Sequence, residues 1–105
     1  VELSYQYFKL PNKKRTIKSM IKTNFNFWGL KNEVFQPIVN QLKNINAPTL
    51  VFWGKQDKVI PVKHANIAAK QIPTSHLHVF ERCGHWAQVE YPAEFNQMTL
   101  EFLNR

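Results

Sequence analysis

Apolar residues along this chain keep two different rhythms, and the change between them divides it. From Arg15 to Trp28, the residues Ile17, Met20, Ile21, Phe25 and Trp28 recur at spacings of three and four, with Lys14, Lys18 and Lys22 among their polar neighbours. That spacing predicts an amphipathic helix, and Gly29 supplies a stop. Val34, Phe35, Ile38, Val39 and Leu42 mark a second helix ending near Asn44. Pro37 fits it only within the first turn, where backbone amides lack intrahelical partners. Before these helices, Tyr5, Tyr7 and Phe8 form too short a pattern to separate strand from helix, and Leu10-Pro11-Asn12-Lys13 is turn-like.

After Asn46-Ala47-Pro48 the pattern changes. Thr49 to Trp53 is rich in β-branched and aromatic residues with no alternation, as expected of a strand covered on both faces. Gly54-Lys55-Gln56-Asp57 is a turn, and a helix opens near Pro61 and runs through Ala65, Ile67 and Ala69 to about Gln71. Ile72-Pro73 stops it, and His76 to Phe80 forms a second strand. A strand, a helix and a strand in so short a span make a βαβ unit, whose crossover forces the two strands parallel. A last helix begins at Pro92 and carries Phe95, Met98, Phe102 and Leu103 on one face.

Composition adds limits. The chain has 105 residues, 44% of them apolar, enough for a modest core. It begins at Val1 without a signal-like segment and reads as a piece of something longer. No apolar run approaches the ~18 residues that span a bilayer. The single Cys83 cannot form an internal disulfide, so a reducing, cytoplasmic setting is the expectation. The net charge of +7 is uneven, because residues 1–48 hold eight Lys or Arg against two acids. The stretch Lys9 to Lys22 could meet phosphates, but it has no aromatic platform or recognition-helix pattern. A solvated helix face is the simpler reading, so no nucleic acid and no membrane are expected as partners.

The candidate chemistry lies just past the two strands. Asp57 and His85 follow the two parallel strands, and if those strands are neighbours their axes are roughly 4.8 Å apart and both loops emerge at one sheet edge. A carboxylate there can fix the tautomer of an imidazole and stabilise the imidazolium formed when the other ring nitrogen takes a proton. Gly54 and Gly84 allow the tight turns that aim them. The plain alternative is that Asp57 only stabilises a turn and His85 is an ordinary loop histidine. His76, His78, Cys83 and His85 also offer four nitrogen and sulfur donors within ten residues, but their spacing fits no standard zinc pattern, and neither a metal nor a cofactor is expected.

Two segments resemble a known family. Pro48-Thr49-Leu50-Val51-Phe52-Trp53-Gly54-Lys55-Gln56-Asp57-Lys58-Val59-Ile60-Pro61 is similar to the seventh strand and acid loop of the α/β-hydrolase fold. Phe80-Glu81-Arg82-Cys83-Gly84-His85-Trp86-Ala87-Gln88-Val89-Glu90 is similar to its eighth strand and histidine loop. The form Cys-Gly-His-Trp-Ala-Gln most resembles the carbon–carbon bond hydrolases that cleave meta-ring-fission products. The resemblance covers about Gln36 to Arg105. It implies an α/β fold whose C-terminal βαβα portion, with two parallel strands, is preceded by a helical cap-like segment. It implies residues 1–32 as a partial lid and 33–105 as core, with Asp57 as triad acid, His85 as triad base, and Trp86 and Ile60 lining the pocket for a small-molecule substrate.

The nucleophile departs from the family pattern. The family carries it on Gly-x-Ser-x-Gly, whereas Ser4, Ser19 and Ser75 are the only serines here and none is flanked by glycine. The chain alone is therefore expected to be inactive. The free edges of a two-stranded unit should be covered by further chain or drive self-association.

Overall fold

The structure, a computed structural model, describes Gln6, residues 9–27 and residues 29–105. Tyr5, Tyr7, Phe8 and Trp28, named above, lie outside the described residues. Its contacts group into two compact units, Val1–Ile38 and Val39–Arg105.

In the first unit, helix α1 spans Lys13–Asn24 and ends four residues before Trp28. The expected helical run is cut because its last carbonyls find partners other than continuing helix. The Asn24 side-chain amide donates to the Met20 carbonyl at 2.8 Å, and Lys31 brings its backbone N–H to the Asn24 carbonyl at 2.9 Å. Phe25 turns extended, and strands β1 (Phe25–Asn26) and β2 (Gly29–Leu30) pair antiparallel. Gly29 makes the return possible at φ +114°, a conformation that side-chain-bearing residues rarely adopt. None of the α1 residues is buried. Met20, Ile21, Phe25 and Phe27 are exposed.

Helix α2, Asn32–Gln41, begins two residues earlier than the apolar pattern suggests, because Val34 and Phe35 both donate to the Lys31 carbonyl. This start moves Pro37 out of the first turn and into the helix interior, contrary to expectation. The missing amide of Pro37 leaves one carbonyl of the preceding turn without its helical donor. A 3-10 turn, Leu42–Asn44, ends the segment near the residue anticipated.

The second unit contains the βαβ arrangement. Strand β3 (Thr49–Gly54) and strand β4 (Ser75–Phe80) pair parallel in the register Thr49↔Ser75 through Gly54↔Phe80. Helix α3, Lys63–Gln71, joins them and packs along both. Ala65 is its buried anchor, and Ile72 beyond its end is buried as well. The Ser75 hydroxyl donates to the Ala69 and Ile72 carbonyls, tying the end of α3 to the start of β4.

On the face holding Phe52, His78 and Phe80, helix α5 (Pro92–Leu103) closes the core. The Phe52 and Phe95 rings lie 4.5 Å apart, and Phe80 meets Tyr91 at 5.1 Å. Phe52, Tyr91 and Phe95 pack against the buried cluster of Phe80, Cys83 and Ala87. Between β4 and α5 runs a single helical turn, α4 (Ala87–Glu90), too short to leave a periodic trace in the sequence. Among the described residues, no helix is long and apolar enough to cross a membrane.

Candidate active site

Asp57 leaves the carboxyl end of β3 and folds its own loop. Its Oδ1 accepts the backbone N–H of Val59 at 2.8 Å and of Ile60 at 2.9 Å, the local bonding that makes aspartate a turn former. The loop is pinned again by Trp53, whose indole N–H donates to the Ile60 carbonyl at 2.9 Å. The second carboxylate oxygen, Oδ2, lies 2.8 Å from Nδ1 of His85. The turn role and the imidazole role, posed as alternatives from sequence, are both filled, one by each oxygen.

The two loops lie against each other along their backbones. Lys55 N–H donates to the Phe80 carbonyl and Gln56 N–H to the Cys83 carbonyl, each at 2.9 Å. Gly54 sits at the closest point. A Cβ there would fall 1.9 Å from the Gly84 carbonyl oxygen and 2.5 Å from that of Cys83. Gly54 is thus required for close backbone approach, whereas the sequence suggested only turn formation. On the far side of the histidine loop, the Glu90 carboxylate accepts the Gly84 N–H at 3.0 and 3.1 Å, and the Tyr91 hydroxyl donates to the Arg82 carbonyl at 3.3 Å.

Electrostatics distinguish the two partners. The Asp57 side chain is 4% exposed and that of His85 39%. Burial pushes the Asp57 carboxyl up. The hydrogen bond from His85, then those from the Ile60 and Val59 amides, then the His85 charge, outweigh burial and leave it below the ordinary carboxylate value. Asp57 is therefore held as an anion. With Nδ1–H donated to that anion, the neutral imidazole carries its lone pair on Nε2, the form a general base requires. Burial first, then the Glu90 charge, pushes the Cys83 thiol up, so this fully buried cysteine is a packing residue.

A cavity of about 160 Å³ opens beside the pair, lined by Phe52, Trp53, Ala87, Gln88 and Phe95 with Asp57 and His85 themselves. Trp86 and Ile60, expected at a pocket wall, do not line it, and both side chains are exposed. Ile60 contributes through its backbone amide and carbonyl, and Trp86 through its carbonyl, which accepts the Val89 and Glu90 amides of α4. His78 is turned to Glu94, with Nε2 3.2 Å from Oε1. Among the described residues, no three His, Cys, Asp or Glu side chains converge to hold a metal ion. Sequence reading missed the roles of Trp53 and Glu90. An indole N–H seven residues from its acceptor and a carboxylate six residues from its amide follow no periodic pattern.

Comparison with known proteins identifies the fold. A family model described as the alpha/beta hydrolase fold matches residues 3–92. Over 66 residues, 63% of the chain, the sequence is 47% identical to the 2-hydroxy-6-oxononadienedioate/2-hydroxy-6-oxononatrienedioate hydrolase of Burkholderia vietnamiensis (strain G4 / LMG 22486), covering 23% of that protein. It is 48% identical over 63 residues, 60% of the chain, to the 2-hydroxy-6-oxo-6-phenylhexa-2,4-dienoate hydrolase of Burkholderia cepacia, covering 22% of it. The matched stretch thus covers less than a quarter of the length of either relative. Among solved structures, the meta-cleavage product hydrolase CumD of Pseudomonas fluorescens IP01 aligns with 98% of the chain at a TM-score of 0.74 and 28% identity, over 37% of its own length.

Proposed function

This chain belongs to the α/β-hydrolase fold family, and on that premise we propose that Asp57 and His85 are the acid and the base of a Ser-His-Asp triad whose nucleophile is contributed by polypeptide outside these 105 residues. The observation that carries the proposal is the 2.8 Å contact between Asp57 Oδ2 and His85 Nδ1, made at the carboxyl ends of two adjacent parallel strands. Ser75 is no substitute for the missing group. It stands at the opposite end of β4, some 16 Å of extended chain before Phe80, and its hydroxyl is bonded to the end of α3.

In the assembled site, a serine hydroxyl gives its proton to Nε2 of His85 as its oxygen bonds to the substrate's carbonyl carbon. Asp57 steadies the imidazolium through Nδ1–H, and His85 returns the proton to the departing fragment. Water then attacks the acyl group, with His85 again taking the proton, and the serine is released. We propose small organic substrates cleaved at an ester or a carbon–carbon bond beside a carbonyl. The names of the two Burkholderia relatives favour the second, in a dienoate bearing 2-hydroxy and 6-oxo groups. Trp86 and Ile60 are proposed to meet the substrate from beside the pair. Residues 1–32 are proposed as the lid-like segment and 33–105 as part of the core, which the exposed apolar side chains of α1 and the hairpin support. The outer edges of β3 and β4 are proposed to pair with further strands of the same polypeptide or, lacking those, with another copy.

The test is Asp57→Asn in the full polypeptide that carries this chain. Turnover should fall by about 10⁴-fold, the loss expected when a triad carboxylate no longer selects the imidazole tautomer. Wild-type turnover in that variant would remove Asp57 from the triad. Residues 1–105 alone should hydrolyse nothing by this route.

A further inference from the structure

Glu90 is placed to do more than end a helical turn. It closes α4, the one turn between the histidine loop and α5, and the chain reverses there because the Trp86 carbonyl takes the Val89 and Glu90 amides at 2.9 and 3.0 Å. The reversal brings both Glu90 carboxylate oxygens onto the Gly84 N–H, so residues 84–90, His85 among them, form a closed ring of chain. Bonds from an amide to a carboxylate are among the stronger hydrogen bonds available to a backbone. That N–H belongs to the Cys83–Gly84 peptide, which is held from the opposite side as well: its carbonyl, that of Cys83, accepts the Gln56 N–H at 2.9 Å and lies against Gly54, where no Cβ would fit. One peptide plane, the Cys83–Gly84 link that precedes the residue before His85, is therefore gripped at its amide by Glu90 and at its carbonyl by the acid loop.

We propose that Glu90 is a positioning residue for His85: by fixing the Cys83–Gly84 peptide, it sets the direction in which the imidazole leaves the backbone and keeps Nδ1 on Asp57. The proposal rests on the acid–base reading of His85 for its consequence in catalysis, but the positioning itself is a property of the loop. With the peptide free to rotate, the ring still reaches Asp57 but no longer presents Nε2 in one orientation. The expected signature is a loss in kcat rather than in KM, because substrate binding does not depend on where the base points.

The experiment compares Glu90→Ala, Glu90→Gln and His85→Ala in the full polypeptide that carries this chain, reading kcat, KM, the melting temperature and the low-field proton resonance of the His85 Nδ1–H. Glu90→Ala should lower kcat about 10- to 100-fold, the range that misplacing a catalytic group by up to an ångström produces. Its KM should stay within about twofold, and its Nδ1–H resonance should broaden or move upfield. Glu90→Gln keeps a side-chain oxygen for the Gly84 amide and should recover most of the kcat and the resonance. Wild-type kcat and an unmoved resonance in Glu90→Ala would overturn the proposal. So would parallel losses in both Glu90 variants that track a lowered melting temperature, because they would mark Glu90 as merely structural. His85→Ala separates this proposal from the acid–base reading. If its turnover is that of the wild type, the triad assignment fails, while the resonance in the Glu90 variants still decides whether the clamp exists.

Discussion

The acid loop and the histidine loop meet at one hydrogen bond but are built in opposite ways. Asp57 organises its own surroundings: one side chain takes two amides from the next three residues and is almost wholly buried. His85 organises nothing. Its loop is held by groups from elsewhere, among them Glu90, Tyr91 and the backbone of residues 54–56, and its ring stays over a third exposed. The contrast suits an acid–base pair. The carboxylate has to be immobile and charged, while the imidazole has to be fixed at one nitrogen and open at the other, where a third group arrives.

Gly54 is where the two constructions touch, and it gives the largest expected effect. Gly54→Ala places a methyl group inside contact distance of two backbone carbonyls, neither of which can rotate away as a side-chain end could. The loops must separate, at a cost at or above the upper end of the ~1–3 kcal/mol that overpacking usually carries. Urea unfolding of the variant should show that loss along with loss of the Asp57–His85 contact. A variant with wild-type stability would mean that the close approach is not maintained in solution.

Next in size is a difference between the two partners. Asp57→Ala strands the Val59 and Ile60 amides and should destabilise by about 2–3 kcal/mol, since each donor left unsatisfied costs about 1–3 kcal/mol when buried and less where water can reach it. His85→Ala removes a half-exposed ring from a loop held by other groups, and water can replace its bond to Asp57. Its loss should be about 1 kcal/mol or less. Equal losses in the two variants would show that the histidine loop depends on the pair as much as the acid loop does.

Sequence patterns exposed the parts of this fold that repeat and missed those decided by single bonds. Strands β3 and β4 and helix α3 stood out because a covered parallel pair needs β-branched and aromatic runs bounded by breakers, and Pro48, Gly54 and Pro73 supply the breakers. The hairpin at Phe25–Leu30 did not stand out. Phe25 keeps the helical spacing from Ile21, so only the Gly29 conformation and the return of Lys31 to Asn24 reveal the turn. Pro37 was misplaced for a similar reason, because the Lys31 carbonyl and no apolar residue sets where α2 begins. At the candidate site, Asp57 and His85 were legible from their distance past two strands and from family resemblance. Glu90 and Trp53 were not, because their roles arise from loop closure.

The smallest effect sharpens the same contrast through pH. Asp57 titrates below its unfolded value of about 3.9, so above that pH the folded and unfolded chains both carry it as an anion and its full contribution to stability is present. As pH falls below about 3.9, the unfolded chain takes up the proton first, and the contribution drains away until the folded carboxyl is protonated too. Asp57→Asn keeps an oxygen for the Val59 and Ile60 amides but has no charge to titrate. The stability gap between wild type and Asp57→Asn, measured by urea unfolding from pH 7 downward, should therefore hold steady to about pH 4 and then narrow. A gap that widens on acidification would mean that burial outweighs the three hydrogen bonds at Asp57. The carboxylate would then depend on its surroundings for its charge, as His85 depends on its neighbours for its position.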